Sequence, residues 1–119
     1  MSRSRVAIVI GVVVMFVAAG AWLILSTKSS GGKPVTLNVT VTGAKSMQPS
    51  VLSASHNDTV TINMTSDTTG VVHLHGYDIP FDTVAGQVVS HTFKVVNTGS
   101  FELEWESTST RLGELDVNP

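Results

Sequence analysis

His73-Leu74-His75, followed at once by Gly76, places half of the chain's four histidines two residues apart. Along an extended strand side chains alternate, so residues i and i+2 share a face and two imidazoles stand side by side. Such a pair suits a single metal ion, with Val72 and Leu74 turned to the opposite face. Two imidazoles still leave a metal short of its usual three or four protein ligands. His91 is the candidate third ligand. Asp78 is either an oxygen ligand or a carboxylate that fixes the tautomer of a neighbouring ring. The competing readings are plain: a hydrogen-bonded pair at the rim of the fold, a histidine satisfied within an apolar stripe, and a turn acid. His56, beside Asn57-Asp58, reads as solvent-exposed. Met47 and Met64 carry thioethers, but their positions read as core-filling.

Other chemistry is thin. The sequence shows no nucleophile paired with a base, no glycine-rich phosphate loop and no cysteine. Nothing points to substrate turnover, and the chain is read as a binding module and not as an enzyme. Glu102, Glu104 and Glu106 alternate with Phe101, Leu103 and Trp105, and read as a solvated acidic edge that discourages sheet-to-sheet aggregation.

The elements that must position these residues are strands. "VTLNVTV" alternates Val35, Leu37, Val39 and Val41 against Thr and Asn, the period of a half-buried strand. "TVTINMT" repeats it with Val60, Ile62 and Met64, after a turn signal at Asn57-Asp58. "VVHLH", "VVSHTFKVV" and "SFELEWE" follow, the last after a turn at Asn97-Thr98-Gly99, and "GELDV" closes the chain. No segment after residue 34 sustains a helical period. The expectation is an all-β, antiparallel Greek-key β-sandwich over residues 35–119. N-x-T sequons at Asn38, Asn57 and Asn63 read as chance matches in a Thr-rich strand protein.

Residues 6–25, "VAIVIGVVVMFVAAGAWLIL", are an uninterrupted apolar run. As a helix it spans about 30 Å, the thickness of a bilayer's hydrocarbon core. Arg3 and Arg5 precede it, which predicts a short cytoplasmic tail (1–5), a transmembrane anchor (6–25) and a domain outside the cytoplasm. A cleaved signal peptide ending near Ala19-Gly20-Ala21 competes, but the apolar run continues past that point. Residues 26–34, "STKSSGGKP", read as a flexible linker. Beyond it stand only Lys45, Lys94 and Arg111, against all nine acidic residues of the chain. That balance excludes a nucleic-acid partner, since phosphate binding needs the opposite sign. The membrane itself, and a membrane or envelope protein, are the partners expected.

The order of these pieces resembles the cupredoxin superfamily across nearly all of residues 35–119. "MQPSVLSASHNDTVTI" looks like the family's aromatic-x-Pro opening with its short strand, Gly-Asp turn and following strand. "HGYDI" is similar to His-Asn-Phe-x-Ile, whose histidine is the family's first copper ligand. "NTGSFELEWE" resembles the Pro-Gly-x-Tyr strand that runs into the copper-binding loop, and "LGELDV" the closing strand. The resemblance puts Trp105 at the cysteine position, Thr108 near the second histidine and Arg111 at the axial methionine. A blue-copper centre needs a thiolate, so such an electron carrier and a thiolate-bridged dinuclear centre are both excluded. "HLHG" also resembles the His-x-His-Gly signature of multicopper oxidases, whose three-copper cluster takes more histidines than one such domain supplies.

The resemblance therefore implies a cupredoxin-like fold with His75 as the inherited ligand position, near the end where the ancestral site stood. Copper held by His73 and His75, with His91 completing the set, is the cofactor expected. The alternative is a metal-free sandwich that docks to another envelope or membrane protein.

Overall fold

A computed structural model describes residues 32–119. The tail, the apolar run and all but the last three residues of the linker lie outside the described residues. Among those described, no helix is long and apolar enough to cross a membrane.

The described residues form nine strands: β1 (Pro34–Thr42), β2 (Ser46–Gln48), β3 (Val51–Ser55), β4 (Thr59–Ser66), β5 (Gly70–Leu74), β6 (Ile79–Thr83), β7 (Val88–Lys94), β8 (Gly99–Trp105) and β9 (Thr110–Asn118). They make two sheets, a four-stranded β2-β1-β4-β7 and a five-stranded β3-β9-β8-β5-β6. The inward stripes read from the sequence meet between them: Val41, Val60, Ile62, Met64, Val72, Leu74, Phe81 and Leu103 are all fully enclosed. Met47, also buried, lays its methyl over Gly113, where an added Cβ would approach its Cε to 2.6 Å.

The expectation of an antiparallel sandwich needs correction. β1 runs parallel to β4, with Pro34 beside Thr59 and Val41 beside Ser66, and β3 runs parallel to β9. Parallel neighbours require a long crossover. Here β2 and β3 supply it, carrying the chain to the other sheet before β4 returns beside β1. A second correction concerns the acidic strand. β8 is the middle strand of its sheet and no edge, so Glu102 and Glu104 line an outer face.

The two outer faces differ in kind. On the four-stranded sheet Asn63 Nδ2 donates to Asn38 Oδ1 (3.0 Å), Ser90 Oγ donates to Asn63 Oδ1 (2.6 Å), and the Thr61 and Thr92 hydroxyls pair at 2.9 Å. This is a neutral cross-strand ladder. The five-stranded sheet instead carries Glu102, Glu104, Glu114 and Asp116, since the inward residues of β8 and β9 are apolar. A bulge between Leu103 and Glu104 leaves Leu112 as the extra residue of β9 and puts Arg111 opposite Glu104.

The loops divide between two ends. At one, Gly32 N–H donates to Asn57 O (3.2 Å), Asn57 N–H to Val95 O (2.8 Å) and Tyr77 OH to Asn97 O (2.6 Å). The start of the domain, the β3–β4 turn, the β7–β8 turn and the loop after β5 therefore share this end. At the other, Gly86 N–H donates to Ser66 O (2.8 Å), and the 3-10 turn Glu106–Thr108 joins β8 to β9.

Candidate metal centre

β5 presents Val72 and Leu74 to the core, so its pleat sends His73 outward, and the chain continues into His75 on the same side. His75 N–H donates to Glu102 O at 2.9 Å, which extends the β5–β8 pairing by one residue. The turn that follows is held on both sides. Gly76 has φ +85°, and a Cβ there would lie 2.2 Å from Phe101 Cδ1, so both backbone and space demand glycine. The Tyr77 ring packs against Phe93 (centroids 5.4 Å) and Phe101 (4.9 Å), while its hydroxyl accepts Asn97 N–H at 3.1 Å. Burial pushes the Tyr77 phenol above its ordinary pKa, against a smaller pull from the Asn97 hydrogen bond. Gly76→Ala should cost about 1–3 kcal/mol through the left-handed backbone and the Phe101 ring. Urea unfolding checks this, and an unchanged midpoint would mean that the ring yields freely.

The two imidazoles stand edge to face, with centroids 4.5 Å apart and planes at 76°. Each is engaged by a carboxylate. His73 Nε2–H donates to Asp78 Oδ1 at 2.9 Å, and His75 Nε2–H donates to Glu104 Oε1 at 2.8 Å. An ionised carboxylate only accepts, so both rings carry their proton on Nε2. Glu104 is also the direct cross-strand neighbour of His73, so it stands beside both rings. Asp78 is 90% exposed, whereas Glu104 is largely shielded. Around them the face is acidic. Arg111 Nη2 donates to Glu114 Oε1, and the Ser100 hydroxyl, donating at 2.7 Å, leads the contacts that hold the Asp116 carboxyl below the usual range. Such a surface concentrates cations.

His91 lies elsewhere. It pairs across β4–β7 with buried Ile62, and its ring meets the inward Phe81 edge to face at 4.8 Å. The five-stranded sheet separates it from the outward pair, because Phe81 and Val72 are cross-strand partners on the inner side of that sheet. Among the described residues, no three His, Asp or Glu side chains converge as they stand on a point where a metal could sit. His56 is exposed, and Met64 and Met47 are core, as read.

The register also corrects the place given to His75. Trp105 is the neighbour of Val72 on β5, and His75 lies three residues farther along, toward the opposite end of the sandwich and on the opposite face. Beside Trp105 stands Gly70, whose missing side chain makes room for the indole: a Cβ there would lie 2.3 Å from Cζ2. The position that the resemblance gives to the cysteine is thus filled by packing. Thr108 is exposed in the turn, and Arg111 is turned to Glu114. These residues do not fit a blue-copper group.

A scan against family models returned no match, and neither did a search of curated proteins. Solved structures do match. A multicopper oxidase, mgLAC, aligns with TM-score 0.54 and 16% identity over 72% of this chain, which spans only 39% of that one. A copper-binding protein, solved in the apo form by NMR, aligns with TM-score 0.57 and 10% identity over 76% of this chain and 100% of its own. A chain from a heme-copper terminal oxidase dimer gives TM-score 0.59 and 11% identity over 98% of this chain and 99% of that one. At such identities the likeness speaks to architecture. The fold is cupredoxin-like.

Sequence reasoning missed Glu104 as a partner of the histidines. Its signal was present in the alternation of "FELEWE", but only the β5–β8 register places that strand beside His73.

Proposed function

We propose that this chain is a membrane-anchored cupredoxin-like module, displayed outside the cytoplasm, that binds copper through His73 and His75 and does not act as a blue-copper carrier. The observation that carries this reading is the side-by-side pair of outward imidazoles, 4.5 Å apart and each oriented by a carboxylate. Hydrogen bonds from the second ring nitrogen to carboxylates are the usual support of ligating histidines. The apolar run 6–25 behind Arg3 and Arg5 supports the anchoring.

Equilibrium dialysis of the detergent-solubilised full chain against copper(II) tests the reading. Micromolar binding is expected, weakened about a hundredfold or more in a His73→Ala/His75→Ala double variant. Binding no tighter than millimolar, or an unaffected double variant, would sink it.

A second reading has its own support. The closure of the family's copper position by Trp105 and Gly70, and the match to a heme-copper oxidase chain over nearly its whole length, favour a metal-free interaction domain docking to a membrane complex. On that reading the double variant co-purifies with the same membrane partner as the wild type does.

A further inference from the structure

His73 and His75 stand side by side, yet their carboxylate partners are held by different parts of the fold. Glu104 belongs to β8, in the middle of its sheet, with Arg111 across on β9 and His73 across on β5. Its carboxylate, largely shielded, reaches His75 from a strand paired on both sides. Asp78 has no strand beneath it. It closes the turn of residues 75–78 that joins β5 to β6, and its carboxylate is 90% exposed. A hydrogen bond so exposed gains little over one to water. It persists in one geometry only where the carboxylate is set in place beforehand.

The residue before Asp78 does this. Gly76 (φ +85°) and Asp78 (φ +59°) both take the left-handed backbone conformation, with Tyr77 between them. A residue with a side chain adopts that conformation at a cost, so contacts outside the turn must hold it. Tyr77 makes such contacts. Its hydroxyl donates to Asn97 O at 2.6 Å and accepts Asn97 N–H at 3.1 Å, and its ring packs on Phe93 and Phe101. The turn is thereby fastened to the backbone between β7 and β8. From that fixed point Asp78 Oδ1 reaches back across the turn to His73 Nε2, 2.9 Å away.

We propose, on the reading of the His pair given above, that Tyr77 is a positioning residue for His73. Its hydroxyl, closed on the Asn97 backbone, sets Asp78 where the carboxylate fixes the His73 ring, while His75 is fixed independently through Glu104. With Nε2–H committed to Asp78, His73 presents Nδ1 as its free lone pair. The direction of that lone pair is then set by the turn, whereas the direction of the His75 lone pair is set by the sheet. One hydroxyl governs one ring of the pair.

The test begins without metal. Carbon-13 relaxation of the imidazole rings is measured on the full chain in detergent at about pH 8, where imidazoles are neutral. Tyr77→Phe keeps the ring packing and removes only the hydroxyl. The order parameter of the His73 ring should fall while that of His75 stays as it is. Asp78→Gly, which suits the left-handed backbone and removes the carboxylate, should loosen His73 to the same extent. The double variant should loosen it no further, because both changes remove one and the same restraint. An unchanged His73 ring in Tyr77→Phe would overturn the proposal. So would additive loosening in the double variant, or equal loosening of both rings, since the hydroxyl would then steady the turn and not one ring through Asp78. Copper(II) titration follows, and each single variant should weaken binding about tenfold. A wild type that binds no copper would overturn the metal reading alone, because the ring measurements decide the role of Tyr77 without it.

Discussion

Trp105→Ala should lower the unfolding free energy by about 3–5 kcal/mol. It should disturb copper(II) affinity far less than the His73→Ala/His75→Ala double variant does. The indole is almost wholly buried and packs over Gly70 at a separation that leaves no room for even a methyl group. Removing it opens a cavity that the rigid β5–β8–β9 ladder closes only in part. Domains of this size have stabilities of about 5–15 kcal/mol, so the variant loses a large share. The proposed metal site faces the other way, because Trp105 and Glu104, the partner of His75, are consecutive residues on opposite faces of β8. Urea unfolding followed by metal titration separates the two effects. Equal damage to both would mean that the imidazoles depend on the core behind them.

The second large effect is expected at Asp58. This carboxylate is buried at the turn before β4, where Oδ1 accepts Lys33 N–H at 2.9 Å and Oδ2 accepts Ser55 N–H at 2.8 Å. Its own backbone N–H donates to Ser55 O, and its carbonyl accepts Val95 N–H at 2.9 Å. The side chain therefore joins the start of the domain to the end of β3, and the backbone of the same residue adds the chain leaving β7. Hydrogen bonds to a charged group contribute about 1.5–3 kcal/mol each. Asp58→Ala removes both and leaves two donors without partners, so a loss of about 3 kcal/mol or more is expected. Asp58→Asn keeps one acceptor and should fall between. Denaturant unfolding measures the loss, and amide exchange locates it: Lys33 and Ser55 should exchange faster while the centre of β4 does not. Uniform acceleration at all three would show a global loss and no local clasp.

How far the sequence spoke for itself varies with the range of the interaction. Strands β1, β4, β5, β7 and β8 were legible to within one or two residues, because alternation is local and one face of each is more shielded than the other. β6 was not. "IPFDT" is short and carries a proline, and it forms because Phe81 and Thr83 have the core and the Gly70 backbone to meet. Direction was also hidden: a period of two looks the same in parallel and antiparallel ladders, so the pairings β1–β4 and β3–β9 left no mark. The outward pair His73 and His75 followed from the pleat alone. Glu104 and the exclusion of His91 depend on which strand neighbours which and on what register, and a single sequence does not encode that separably. The motif "HGYDI" misplaced His75 for the same reason: it matched residue types while the β5–β8 register set the position along the strand.

Gly32 reaches Asn57, Asn57 reaches Val95, and Tyr77 reaches Asn97, so the point where the chain joins the domain and the turn that carries His75 lie at one pole. Gly32 and Lys33 are already hydrogen-bonded to the domain and Pro34 begins β1, so only the six residues 26–31 separate this pole from the apolar run 6–25. On the anchoring and metal binding proposed above, this pole would lie nearest the lipid and the Trp105 end farthest from it. The cupredoxin-like scaffold would then be used upside down, with a metal at His75 facing neighbours embedded in the same bilayer.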